Sequence, residues 1–153
     1  MSIRVQREDF DVGAELTAMK GNRAIGALAC FVGLVRDIND DNVVGSLTLE
    51  HYPGMTEKAL AQIIEQARSR WDVMEVRVIH RVGTLYPADQ IVFVAVAGAH
   101  RGEAFAACEF IMDYLKTQAP FWKKEHTPSG ARWVEVRSSD DMAAQRWQRQ
   151  EIS

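Results

Sequence analysis

Three groups of basic residues in this chain have types and spacings that could do chemistry. His100 and Arg101 follow directly on the apolar run QIVFVAVAGA and open a helix-forming stretch. Unpaired backbone N–H groups at a helix start favour anions. Arg101 adds a guanidinium that can grip phosphate or carboxylate through two parallel hydrogen bonds. A cation there opposes the helix dipole, which favours ligand binding over the plain alternative, simple solvation of the helix end. The second group is Lys116, Lys123 and Lys124, set around the turn at 117–120. Lys116 falls in the last turn of its helix, where the dipole alone would favour it. Lys123 and Lys124 take opposite faces if FWKKE is a strand, so one of them points inward. Burial beside Phe121 and Trp122 disfavours the charged form, and a neutral amine can act as nucleophile or general base. The third candidate is Arg36, closing FVGLVR just after Gly33, where a strand glycine marks a bulge or a close backbone approach. An ordinary solvated strand end is its plain alternative.

Other chemistries find no support. His51, His80 and His126 share no ligand spacing with one another or with a cysteine, so no zinc signature is present. His51 and His80 sit on strand patterns and read as core or rim residues. No G-x-S-x-G, P-loop or G-x-G-x-x-G pattern occurs. The residues alone therefore lead to a small protein with a basic anion site.

The elements that must hold these residues alternate in type. Ile3 and Val5 mark a short opening strand, and Asp11 caps a brief helix carrying Val12, Leu16 and Met19, ended by Gly21. ALACFVGLV (27–35) reads as a buried strand. The Asp- and Asn-rich residues 36–45 read as an exposed, mobile loop. SLTLEHY (46–52) alternates as a half-buried strand, and Pro53-Gly54 turns into a helix over 55–70 with Leu60, Ile63, Ile64 and Ala67 inward. Strands at 76–83 and 90–99 are joined in hairpin fashion by LYPAD, the second being central because it is apolar throughout. A helix over 101–117 buries Phe105, Cys108, Ile111, Met112 and Leu115, and Pro120 stops it. FWKKEHT and RWVEVR form a hairpin around TPSG. Ser139, Asp140 and Asp141 cap a terminal helix ending near Arg149. The predicted fold is α+β: a mostly antiparallel sheet with helices packed on it, in a single domain over residues 1–153.

Bulk properties agree. The 153 residues are 47% hydrophobic and 25% charged, enough for a real core and too little bias for disorder. A net charge of -3 argues against a long nucleic-acid surface but leaves room for a local basic pocket. Cys30 and Cys108 lie in apolar surroundings and read as two buried free thiols. The N-terminus lacks the apolar core of a signal peptide, and no apolar stretch reaches the ~18–20 residues of a membrane helix. A cytoplasmic protein, with no membrane contact, is expected.

Several stretches together resemble the large, catalytic subunit of molybdopterin synthase: LTLEHYPGMTEKAL (47–60), VIHRVGTLYPAD (78–89), AHR (99–101) and FIMDYLKTQAPFWKKE (110–125). The resemblance runs in order from about Ala24 to Trp147, and its core is DYLKTQAPFWKKE. It implies a sulfurtransferase of molybdenum cofactor biosynthesis. Such an enzyme takes sulfur from the C-terminal Gly-Gly thiocarboxylate of a small ubiquitin-like subunit. It adds two sulfurs to cyclic pyranopterin monophosphate, making the dithiolene of molybdopterin. Both substrate phosphate and thiocarboxylate are anions, which accounts for a basic pocket on an acidic chain.

By position, the resemblance makes Lys116 the leading catalytic residue beside the partner's C-terminus, acting as general acid/base or stabilising an acyl intermediate. Lys123 is the second active-site lysine. Arg36, His100 and Arg101 match the substrate-binding pocket, while Phe31 and Met112 line the tail's path or serve as core. Gly102 and Glu103 match nothing assignable. The family's assembly implies a homodimer of large subunits with a small subunit at each end, a heterotetramer, and no metal or cofactor at this step. Two rivals rest on the basic cluster alone. One is a non-catalytic module binding a phosphorylated metabolite or a ubiquitin-like tail, and the other is a lysine-dependent lyase or aldolase.

Overall fold

The strand β8 (Gln90–Gly98) is apolar from Ile91 onward because both of its faces are covered. Successive strand residues point to opposite sides. Val92, Val94 and Val96 enter one buried cluster, while Phe93, Ala95 and Ala97 enter a second on the other face. A computed structural model of the chain describes residues 1–39, 42–134 and 138–152. β8 lies inside a four-stranded sheet of order β1 (Ser2–Gln6), β6 (Glu75–Arg81), β8, β2 (Ala27–Leu34). β1 runs parallel to β6, and the other pairs are antiparallel. The short helix α1 (Val12–Ala18) brings Val12 and Leu16 onto one face, with the Asp11 carboxylate accepting the Ala14 N–H at 3.0 Å as its cap. On the other face lie α2 (Met55–Arg70) and α3 (Arg101–Gln118), contributing Leu60, Ile63, Ile64, Ala67, Cys108, Ile111 and Leu115 to the larger cluster.

A second sheet completes that cluster. Its order is β10 (Gly130–Val134), β9 (Phe121–Thr127), β5 (Ser46–His51), β7 (Gly83–Leu85), all antiparallel, and Leu47, Leu49 and Leu85 face the core. The expected single sheet is therefore two, within the expected α+β class. β6 and β8 do pair, from Glu75↔Ala97 to His80↔Val92. Their connection is not a simple hairpin, because Gly83 (φ 89°) turns the chain out of the first sheet and into the second as β7. Glycine adopts that conformation without the Cβ penalty.

Three expectations about exposure are corrected. β2 is an edge strand, so Cys30, Phe31 and Leu34 are exposed rather than buried, and only Cys108 is a buried thiol. Phe105 is 64% exposed, on the side of α3 away from the core. Residues 36–45 are no plain loop, since β3 (Ile38–Asn39) and β4 (Asn42–Val43) pair and Val44 is buried; Asp40 and Asp41 lie outside the described residues. In RWVEVR the strand reaches Val134, and 135–137 lie outside the described residues. Ser139, expected as a cap, likewise has no described side chain. α4 (Ser138–Ile152) continues past Arg149 and docks through Trp147. That indole meets Trp71 and Phe110 edge-on, with centroids 5.4 and 5.5 Å away, and donates to the Asp113 carboxylate at 2.7 Å. Among the described residues no helix is long and apolar enough to cross a membrane.

Candidate active site

α3 runs back along β8, with Ala104 beside Gly98 and the Cys108 thiol 3.6 Å from the Val94 carbonyl. Its C-terminal end therefore lies over the Gln90 end of the sheet. The same end carries His80, paired with Val92, and the close of β2, where Leu34 pairs with Gln90. Arg36, exposed, follows immediately. Val35 exchanges backbone hydrogen bonds of 2.9 Å with Ala88 and Asp89, which anchors the chain there. Lys116 occupies the last turn of α3. Arg36 and Lys116 are thus brought to one end of the molecule.

The chain then reverses tightly. Pro120 has no N–H to continue the helix, and the Phe121 N–H bonds to the Ala119 carbonyl at 2.9 Å. Thr56, fully buried at the start of α2, accepts the Tyr52 N–H and donates to the Pro120 carbonyl, both at 3.0 Å. The turn between Lys116 and Lys123 is thereby tied to α2. β9 pairs with β5 in the register His51↔Phe121, Leu49↔Lys123, Leu47↔Glu125. These positions share the inward face with Leu47 and Leu49, so Lys123 is the inward lysine, as the alternation predicts. Lys124 faces out, its ammonium 5.5 Å from the Trp133 ring centroid.

Across the sheets, the His80 ring stacks on Phe121 with centroids 3.8 Å apart at 17°. Its Nδ1 lies 2.8 Å from the Arg81 carbonyl oxygen. Burial, reinforced by Lys116, Lys123 and His51, holds the imidazole neutral, its pKa pushed down to about 3 against the opposing pull of that carbonyl. His51 sits 3.8 Å from the Glu57 carboxylate, which also receives the Gly54 N–H at 2.9 Å. Beyond Lys123, Glu125 is 4% exposed and accepts Nε and Nη2 of Arg132 at 3.1 and 2.9 Å. Lys123 thus shares its strand face with Phe121, on which His80 stacks and opposite which His51 pairs, and Lys116 closes α3 at the same end of the sheet. The arrangement suits an anionic group whose charge grows during reaction, since fixed donors in a water-poor site stabilise such charge strongly. Among the described residues no three His, Cys, Asp or Glu side chains gather as a metal would require.

The remaining expected residues divide. Phe31 shares its strand face with Ala29, Gly33 and Val35, on the side of α3. A Cβ on Gly33 would stand 2.8 Å from a Val92 methyl and 3.3 Å from the Phe31 ring, so a larger residue there would push the Val92 side chain aside and crowd the ring. The strand bulges between Gly33 and Leu34, as the glycine suggested. Met112 lies one turn before Lys116 on α3 and is 8% exposed. His100 and Arg101 do not join the cluster. Both are exposed at the opposite end of α3, about 22 Å from Lys116 along the helix axis. His80, Phe121, Thr56 and Glu125 carried no signal of their own in the sequence, because each acts through a partner on another element.

A model of the MoaE protein family matches residues 5–118. A protein of Ralstonia nicotianae named molybdopterin synthase catalytic subunit is 64% identical over 147 residues, covering 95% of this chain and 84% of that one. Among solved structures, a molybdopterin biosynthesis MoaE protein from Burkholderia ambifaria superposes with a TM-score of 0.83. It is 58% identical and covers 96% of this chain and 97% of its own. A molybdopterin synthase from Staphylococcus aureus, 30% identical, superposes at 0.81 over 86% of this chain and 96% of its own.

Proposed function

The chain belongs to the MoaE family, and from that premise we propose that residues 1–153 are one domain acting as the catalytic subunit of a molybdopterin synthase in the cytoplasm. Sulfur leaves the C-terminal thiocarboxylate of a small ubiquitin-like partner and enters cyclic pyranopterin monophosphate, two atoms per molecule, giving the dithiolene. The observation that carries the assignment of the site is the inward Lys123 beside the stacked His80 and Phe121, at the end of the fold where α3 closes with Lys116.

Once the thiocarboxylate sulfur has bonded to a substrate carbon, water adds to the resulting thioester carbonyl and charge develops on its oxygen; collapse of that adduct breaks the carbon–sulfur bond, leaving sulfur on the substrate and a carboxylate on the tail. Lys116, at the mouth of the helix end, is placed to stabilise that oxygen's charge or to transfer the proton. Lys123, one strand away and inward, holds the anionic substrate. Arg36 at the same end contributes a bidentate grip for the phosphate. The tail approaches between Phe31 of β2 and Met112 of α3.

His100 and Arg101 bind the same phosphate only if they come from a second copy, because α3 holds them too far from their own Lys116. A dimer of this chain, with one small subunit at each end, is the assembly that supplies them. Single-turnover formation of molybdopterin, with thiocarboxylated partner and substrate, tests the function, with Lys116→Ala in parallel. Product from wild type and almost none from the variant supports both function and residue. Product from both moves the chemistry to Lys123, and none from either, with partner bound, reduces the protein to an anion-binding module.

A further inference from the structure

Breaking the thioester that joins tail and substrate requires a cation for the carbonyl oxygen and a base for the attacking water. Lysine ammonium groups serve the first and have no lone pair for the second. The chain has four histidines. His80 is 3% exposed, with Nδ1 held at the Arg81 carbonyl. His126 is on the outward face of β9, 3.0 Å from the Thr48 hydroxyl oxygen. His100 stands at the far end of α3. His51 remains, and its surroundings differ from those of the other three.

His51 ends β5 on the inward face that Leu47 and Leu49 define, directly across from Phe121. Lys123, paired with Leu49, is its diagonal neighbour on that face, a separation that long side chains span. The His51 side chain keeps 21% of its exposure, so water reaches the ring. Its Nε2 is 3.8 Å from Glu57 Oε1, longer than a hydrogen bond and close enough for an ion pair. Glu57 is fixed in place, because its Oε2 accepts the Gly54 N–H at 2.9 Å and closes the capping box of α2. Among the described residues the buried Oε1 accepts no hydrogen bond, so its lone pairs are left for the ring. Packing alone does not call for an unsatisfied buried oxygen beside an imidazole. A carboxylate only accepts, so the ring turns Nε2–H toward Glu57 and keeps its lone pair on Nδ1. When Nδ1 takes a proton the ring becomes cationic, and the Glu57 charge stabilises it.

We propose that His51 is the general base of the sulfur transfer, taking a proton from the water that adds to the thioester carbonyl, and that Glu57 positions it. The proposal rests on the synthase function and deepens it. Water's oxygen bonds to the carbonyl carbon as one of its protons passes to Nδ1. The adduct then collapses, the carbon–sulfur electron pair leaves with the substrate's sulfur, and that sulfur takes the proton back from His51. The tail keeps the water oxygen as a carboxylic acid, which ionises.

The test is a single turnover with thiocarboxylated partner and cyclic pyranopterin monophosphate, quenched at intervals, reading both molybdopterin and the mass of the partner. His51→Ala should lower the rate about 100-fold or more, while partner carrying the substrate through sulfur accumulates. Imidazole in the buffer should raise that variant's rate at least about tenfold, which a merely structural role would not give. Glu57→Gln keeps the capping box, since glutamine also accepts the Gly54 N–H, and removes the charge. It should slow the same step about 3- to 10-fold and raise the same adduct, whether or not His51→Ala folds.

A wild-type rate in His51→Ala, a slower rate without adduct or without imidazole rescue, or a Glu57→Gln chain equal to wild type would overturn the proposal. With molybdopterin formed by wild type, any of these leaves the synthase function standing. No molybdopterin from wild type would defeat that function and this proposal with it.

Discussion

The Thr56 hydroxyl donates to the Pro120 carbonyl at 3.0 Å while accepting the Tyr52 N–H at the same distance, so one buried side chain joins the start of α2 to the turn between Lys116 and Lys123. Thr56→Val keeps the shape and removes both bonds. Leaving buried partners unsatisfied should destabilise by about 2 kcal/mol, which for a domain of this size lowers Tm by roughly 4–8 °C. The rate should fall as well, because the turn sets the spacing of Lys116 and Lys123. A melting temperature equal to wild type would show that the contact is incidental.

Of the three lysines, Lys123 faces inward from β9, Lys116 stands in the last turn of α3, and Lys124 faces Trp133. Lys116→Ala should abolish turnover with partner binding intact. Lys124→Ala should keep the rate within about twofold, since an exposed contact of this kind contributes little. Calorimetry of partner binding beside single-turnover rates checks both. A rate collapse in Lys124→Ala would mean the strand faces are assigned the wrong way round.

Arg36 and Arg101 are assigned to substrate and not to the partner. Arg36→Ala and Arg101→Ala should therefore weaken substrate binding more than partner binding, and equal loss of both in titrations would contradict the assignment. If Arg101 serves the pocket of a second copy, mixing the inactive Lys116→Ala and Arg101→Ala chains should restore product, because one pocket of each mixed dimer regains both groups. Failure to complement, with mixed dimers demonstrated, would confine each site to one chain.

His80 also sets a pH dependence of stability. The folded chain keeps the ring neutral down to about 3, whereas the unfolded chain titrates near 6.5. Between those values the unfolded state binds the extra proton, so this contribution is complete above about pH 6.5 and declines as pH falls toward 3. At pH 5 the decline should amount to about 2 kcal/mol. Urea midpoints at pH 7 and pH 5 should fall more in wild type than in His80→Gln. Identical shifts would place the acid sensitivity in other groups.

Trp147 anchors α4 through two edge-on aromatic contacts and the bond to Asp113, whose carboxyl is raised above its ordinary range mainly by burial. Trp147→Ala should destabilise by about 3–5 kcal/mol and expose α4 to proteolysis. A protease pattern like wild type's would mean the helix is held elsewhere.

Helix positions were readable from the sequence because the amphipathic stripes of α2 and α3 repeat every turn, and β8 announced its central place by carrying no polar residue inside it. The division into two sheets was not readable. It depends on the backbone of Gly83 turning the chain out of one sheet, and nothing local distinguishes that from a hairpin. The exposure of Phe31 and Cys30 was misjudged for a related reason, since an apolar strand at a sheet edge has the same composition as one in its middle. Lys116, Lys123 and Arg36 stand out in the sequence as candidates by residue type and by resemblance. The stacking of His80 on Phe121 escaped notice because it joins residues remote in sequence on different sheets.

α3 carries one basic group at each end of a rigid rod, so in a dimer each chain furnishes half of two pockets and the whole of none. Loss of both ends in a single copy would then spoil both pockets of every dimer that copy enters. Co-expressed with normal chains, a Lys116→Ala/Arg101→Ala double variant should act as a poison, lowering output further than simple dilution would, in the manner of a dominant allele.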